Sequence, residues 1–543
     1  MQLIDQKTKR IMEGCKERAL DAGLCFDKES LEYIVSNRDM IELMPKNMIP
    51  TLYDYWVHDV EVLRESGKYE LYPSNPYETV INTRPAISFY NDNNPDWLNV
   101  MIFYHVLGHI DFFQNNLYFR HTWEYDLCGR ALADKRLISR LRSEYGRRVD
   151  YVIEFARGID NLVGYHAELA RFNRIDNGCS ARLNYYFDVF LQSVKKVQPR
   201  EYVKELERFN RCVAQQEPLG EEIFFAEVQQ RYPEFDACFE KFLRERSAPS
   251  LDLLQFLMDQ SPFLNRDENK WMKSVLEIIR TTSIYFQPQI RTKIMNEGWA
   301  SYWHETLFLQ DDRIRGHEVE FARVNAGVTA MPRVGLNPYA LGMRLFYHIE
   351  QQADRGCYDY AFNRMRDREQ RRRYDRATGL GHERIFKIRE DFCDFTFISQ
   401  FVDQDFIDAH RLFVAGERLN KERMVWEYYV RSRKAADYRD MIFSSLYHPP
   451  VIQVDREKSR NGALYLTHRF EGKPLVNEYI ANTLLGIEYL WGNGVKLETS
   501  EARVAASGEK SDPAETPAVS WTRVVYSMHE RVFSREVVTP DAA

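Results

Sequence analysis

The sequence predicts a mainly α protein: a large helical domain, a short extended segment near residues 68–90, and a small C-terminal α+β unit. Three observations predict it. From about residue 96 to 440, apolar residues recur at three and four, as in "EYVKELERFNRCVAQ" and "DLLQFLMDQ", which is the spacing of one helix face. Residues 68–90, "KYELYPSNPYETVINTRPAISFY", instead alternate and are broken by Pro73, Pro76 and Pro85, as extended chain is. After about 445 the texture changes to short β-type runs around one apolar helix.

In chain order, residues 1–60 read as helical. "SLEYIVSNRDMIELMPKNMIP" ends at a proline, and "TLYDYWVHDVEVLRESG" has a glycine after its last turn, both stop signals. "NDNNPDW" is a turn and helix start, with Asn94 as the cap and Pro95 at the first helical position. "NRMRDREQRRRYDR" carries seven arginines and three acids. It reads as a solvated helix with internal ion pairs, or as a site for a phosphate-bearing partner. "PPVIQVDREKSRNGALYLTHRFEGKPL" reads as strand, turn, strand, "NEYIANTLLGIEYLWGNG" as a helix stopped by glycines, and "VKLET" as a strand. The expected domains are therefore 1–440, 441–500 and a polar, proline-bearing tail, 501–543, expected to be disordered.

Bulk properties narrow the function. The 543 residues are 44% hydrophobic and 29% charged, enough for a large core in a soluble protein. A net charge of -7 and the lack of a known motif argue against nucleic acid. The eight cysteines form no Cys-x-x-Cys pair, which argues against a thiolate zinc knuckle. The charged start "MQLIDQKTKRIMEG" is no signal peptide, and no apolar run reaches membrane-spanning length. The expected location is the cytoplasm, with reduced thiols.

The chemistry-bearing stretch is "YHVLGHIDFFQNN". His105 and His109 are four apart, about 40° apart in projection on a helix, so both rings can face one point. The spacing is that of the zinc motif His-Glu-x-x-His, but Val106 stands where that motif has its glutamate base. Apolar surroundings bury the pair. A buried imidazole needs a partner, so a metal or a set of carboxylates and carbonyls must satisfy it. Gly108 allows a second element to approach closely. Asp111 is a candidate base by residue type. Its position, six from His105 and two from His109, turns it from their shared face, toward backbone or a group behind the ligands. Asn116, seven beyond His109, returns to that face.

The best partner stretch is "IMNEGWASYWHETL". Glu297 and His304 are seven apart, on one helix face, with Ala300 and Ser301 between them. Glutamate-type zinc hydrolases take their third ligand from such a helix, often after an asparagine, here Asn296. Glu297 follows His109 by 188 residues (297 minus 109), a gap that neither supports nor opposes a shared site. A buried polar contact between two helices explains the same residues.

Six stretches, in order, resemble the stage V sporulation protein R (SpoVR) family: "MIPTLYDYW", "HVLGHIDFFQNNLYF", "MNEGWASYWHETL", "NPYALGMRLFYHIE", "IREDFCDFTFISQFVD" and "TLLGIEYLWGNGVKLET". They span roughly residues 48–499. The resemblance implies a cytoplasmic, mostly helical protein tied to spore cortex (peptidoglycan) formation, or to stress responses beside a serine protein kinase. It carries over His105, His109, Asp111, Asn115, Asn116, Glu297, Gly298 and His304. Ile110, where the family has a small polar residue, departs from it, and the tail after 501 finds no counterpart.

Two functions follow as expectations. One is a divergent, glutamate-zincin-like metal-dependent hydrolase acting on a peptide or peptidoglycan amide. His105, His109 and Glu297 would bind zinc or another divalent transition metal, His304 would be a fourth ligand or general acid, and Asn115, Asn116 and Asn296 would orient the ligands from behind. The other is a non-catalytic regulator or scaffold whose partner is a peptidoglycan-synthesis protein or a serine protein kinase.

Overall fold

The computed structural model describes residues 2–36, 39–40, 78–173, 180–215, 219–246, 252–420, 423–504 and 519–538. The chain forms two compact units, 1–172 with 253–543, and 173–252. This division differs from the expected boundary at 440. Residues 173–252 have an aromatic core of their own, in which Tyr185, Tyr186, Phe190, Phe224 and Phe235 pack together, while 441–504 stay with the larger unit. The larger unit is mainly helical. No helix among the described residues is long and apolar enough to cross a membrane.

A four-stranded sheet precedes the histidine stretch. It comprises β1 (Gln2–Leu3), β2 (Ser30–Val35), β3 (Glu78–Ile81) and β4 (Ala86–Asn91), in the order β1-β2-β4-β3. β3 and β4 bear out the extended segment over 78–90, while its first part, 68–77, lies outside the described residues. β2 corrects the helix expected from "SLEYIV". Its alternating residues pair in parallel with β4, Leu31 opposite Ile87 and Tyr33 opposite Phe89, and that distant partner outweighs local propensity. Glu32 of β2 is buried but paired, 2.7 Å from Lys9 and 3.2 Å from Lys16 of the helix Gln6–Asp21. The helix expected at 51–67 lies outside the described residues.

The histidine helix, Asp96–Asn115, follows β4 and is buried from Val100 to Phe113. An apolar surface all round marks a helix with neighbours on every side. It starts one residue later than expected, with Pro95 in the cap position and not the first turn. The glutamate helix, Lys293–Phe308, packs between it and the helix Pro338–Asp354. Missing side chains make both contacts possible. A Cβ on Gly108 would stand 2.8 Å from the Ala300 Cα, and one on Gly342 would stand 2.7 Å from the Gly298 Cα. The first turn of the glutamate helix is held by Asp394, whose carboxylate accepts from the backbone N–H of Ile294 and Met295 at 2.9 Å each.

The helical pattern does not run unbroken to 440. β5 (Val414–Asn420) and β6 (Val425–Ser432) form an antiparallel hairpin, because "VWEYYV" carries β-branched and aromatic residues that suit a pleated surface. The arginine-rich stretch is not one helix but the end of Tyr360–Arg364 followed by the short helix Arg368–Arg373. Arg371 turns inward there, donating to the Phe362 carbonyl at 3.0 Å and lying over the Phe362 ring.

The C-terminal part forms a five-stranded sheet, β11-β10-β9-β8-β7. Its strands are β7 (Ile452–Val454), β8 (Leu464–His468), β9 (Val495–Val504), β10 (Val519–His529) and β11 (Val532–Val537). The expected strand, turn, strand, helix, strand order holds, with the helix Asn477–Trp491 crossing over between parallel β8 and β9. The expected disordered tail is corrected at 519–537. Val524, Tyr526 and Met528 are buried there, and β10 pairs with β9 along its length. The polar 505–518 stretch lies outside the described residues.

Gly298→Val and Ala300→Phe should each lower the melting temperature, since overpacking at a backbone-level contact costs about 1–3 kcal/mol. Gly327, with open space around its Cβ direction, is the control. Gly327→Ala should be neutral or stabilise by up to about 1 kcal/mol. Unchanged melting of Gly298→Val would refute the close crossing.

Candidate metal centre

The two histidines face the same point. His105 and His109 are each 6% exposed, and their Nε2 atoms lie 3.1 Å apart. The glutamate helix supplies the third group, with Glu297 Oε2 3.6 Å from His109 Nε2. One donor atom from each of the three residues lies within 4.8 Å of the other two.

The groups behind the rings determine where the protons are. Asn325 donates through Nδ2 to Glu305 at 2.6 Å, so its Oδ1, 2.9 Å from His304 Nε2, is an acceptor. His304 therefore carries its proton on Nε2 and offers a lone pair at Nδ1. That atom is 2.9 Å from His105 Nδ1, so His105 donates there and its own Nε2 is bare. His109 Nδ1 likewise faces Asn296 Oδ1 at 2.9 Å, which puts a proton on Nδ1 and turns its Nε2 toward His105 and Glu297. The two Nε2 atoms, 3.1 Å apart, thus face each other beside the Glu297 carboxylate, with donor and acceptor roles set by the ring tautomers. Burial, then the neighbouring His109 and His304 rings, pushes the His105 pKa well below its ordinary value. Burial also lowers that of His304. Both rings are held neutral, the form that binds metals.

Other expected residues lie elsewhere. Asp111 is fully buried, but it accepts from Trp299 Nε1 at 2.8 Å and the Cys25 backbone N–H at 2.7 Å, with Arg389 3.4 Å away. Burial raises its pKa to about 6, against the pull of Arg389. It ties the two helices together and touches neither histidine ring. Asn115 donates to the carbonyls of Cys25 and Asp111. Asn116 does not return to the histidine face. It donates to the Arg389 and Phe392 carbonyls, and its Oδ1 caps the next turn at Tyr118, because the helix ends at Asn115. Asn296 does sit behind His109. His304 has both ring nitrogens engaged, so it orients His105 and does not face the shared point.

Four contributors were not found from sequence. Asn325 fixes the His304 tautomer. The Tyr339 ring stacks on His105 with centroids 6.2 Å apart, and its hydroxyl bonds Glu297. Burial, then the Glu297 and Glu78 charges, pushes that hydroxyl's pKa up, so it keeps its proton. Glu78, at the start of β3, thus brings a second carboxylate near the cluster. Asp394 lies close enough to Glu297 to feel its charge, and burial raises its pKa to about 7. "NPYALG" signals a helix start, but nothing local in it points Tyr339 at a histidine 234 positions earlier (339 minus 105).

The chain is 26% identical over 500 residues to the uncharacterized protein YcgB of Escherichia coli (strain K12), covering 86% of each chain. No solved structure matches. The model of the family described as SpoVR like protein matches residues 1–446, which hold every residue of the cluster, and the chain belongs to the SpoVR family.

Proposed function

We propose that His105, His109 and Glu297 hold one divalent transition metal, zinc by their donor set, and that the protein is a cytoplasmic metal-dependent hydrolase of a peptide or peptidoglycan amide. The observation that carries this reading is the meeting of two imidazole nitrogens and a carboxylate at one point. Such a cluster is repulsive unless a cation joins it. Burial keeps His105 itself from taking up that charge as a proton. A tetrahedral zinc with bonds of about 2.0–2.1 Å sets its nitrogens about 3.3 Å apart, close to the 3.1 Å found.

Two histidines and a glutamate form the ligand set of hydrolytic zinc sites that leave a fourth position open. The bound metal would polarise a carbonyl and lower the pKa of a water. The chain's own residues do the rest. His304 and Asn296 fix the two ring tautomers, as the groups behind metal ligands do. Tyr339 holds a proton at its hydroxyl beside Glu297, where it can donate to a developing oxyanion.

One observation favours the alternative. Val106, at the position of the usual base, is fully buried in the core. A site with no base at that position suits a regulator that acts on peptidoglycan synthesis or with a serine protein kinase.

Protein purified without a histidine tag should carry about one metal per chain. Chelation should lower its melting temperature, because a ligand at 100 times its Kd adds about 2.7 kcal/mol of stability. His105→Ala and Glu297→Gln should lose the metal, and Asn325→Ala should weaken its binding by about 10–100-fold. A metal-free wild type, indifferent to chelator, would overturn the metal reading.

Tyr339→Phe separates the two functions. A hydrolase variant should keep its metal and fold but lose about 10²–10³-fold in turnover, and should fail to complement a deletion strain. Full complementation by Tyr339→Phe and by Glu297→Gln would leave the regulator standing.

A further inference from the structure

The second site is in the C-terminal part of the chain. Strand β8 turns Leu464, Leu466 and His468 to one face, and the helix Asn477–Trp491 turns Ile480, Leu484 and Ile487 to another. These are the period-two and period-3.6 stripes of elements that should close on each other. They do not close completely. A cavity of about 560 Å³ remains between them, within the range of small-molecule sites. Its interior is apolar, with Leu253, Ile452, Leu466, Leu484, Ile487 and Leu497 in the wall.

The mouth has a different chemistry. The 471–476 loop runs along it, and Val476 and Tyr479 stand there 56% and 64% exposed, apolar surface with no internal use. Glu471 is already matched, since His448 Nε2 lies 2.7 Å from it and Arg469 also stabilises its charge. Lys473 lines the same mouth without a hydrogen-bond or ion-pair partner among the described residues. The result is a largely apolar chamber with two cations in its lining, Lys473 and Arg469, neither in an ion pair among the described residues.

We propose that this cavity binds a monoanionic amphiphile, an apolar chain ended by a carboxylate. The chain fills the space between β8 and the helix, where apolar burial drives binding. The carboxylate stays at the mouth beside Lys473, where it remains partly hydrated and avoids the cost of burying a charge. A fully apolar ligand would leave Lys473 unused. A larger anion such as a nucleotide would place phosphates and hydroxyls against leucine and isoleucine. The cavity shares no lining residue with the histidine cluster, so this inference does not depend on the metal reading.

The test is calorimetric titration of the full-length chain with decanoate and with decanol. Decanoate should bind saturably at one site, and decanol about tenfold more weakly, the difference one charge-assisted contact makes. Lys473→Glu, at an exposed position, should weaken decanoate by at least about tenfold and leave decanol unchanged. Leu484→Trp should fill the chamber and abolish both. Thr483→Trp, at a half-buried wall position, is the second filling variant should Leu484→Trp melt early. His105→Ala should bind decanoate as the wild type does. No saturable decanoate binding, or binding that survives a folded filling variant, would overturn the site. Equal affinity for decanoate and decanol, unmoved by Lys473→Glu, would overturn the anionic ligand.

Discussion

The structure depends on one constraint, the backbone-level packing of the glutamate helix between its two neighbours. Gly108 meets Ala300 on one side and Gly298 meets Gly342 on the other. Any side chain at these points would push the helices apart, and with them Glu297 and the histidines. Polar groups then fix the angle and the slide. Asp394 holds the first turn of the glutamate helix, and Asp111 ties Trp299 on it to the chain before β2. Buried carboxylates are costly unless they are hydrogen-bonded. Both of these are bonded, and each joins elements about ninety residues or more apart in sequence.

The same packing organises the cluster's electrostatics. The imidazoles are held by a chain of partners, His109 against Asn296 and His105 against His304 and the Ala300 backbone, and His304 reaches on to Asn325 and Glu305. A chain of amides and rings thereby aims two ring nitrogens at one point. Low polarity around them strengthens the hydrogen bonds that orient the rings. The C-terminal cavity is built on the opposite plan, since leucines and isoleucines form much of its wall and the Lys473 charge is kept at its mouth.

Several features were fixed locally and could be read from the sequence. The i, i+4 histidine pair on an apolar helix, the i, i+7 pair of Glu297 and His304, and the small residues between them need only helical periodicity and side-chain volume. The order of elements from β7 to β9 was legible for the same reason, with prolines and glycines marking each end. Tertiary structure decided the rest. "SLEYIV" becomes a strand because β4 lies beside it, and "VVYSMH" becomes one because β9 does. Asn116 leaves the histidine face because its helix stops one residue earlier, and His304 turns to serve His105 because Asn325 waits behind it. Tyr339, Asn325 and Asp394 join the site from positions up to 289 residues from His105 (394 minus 105). Periodicity reports which face of an element a residue occupies. Which distant group meets that face is set by packing of the whole chain, and no local pattern contains it.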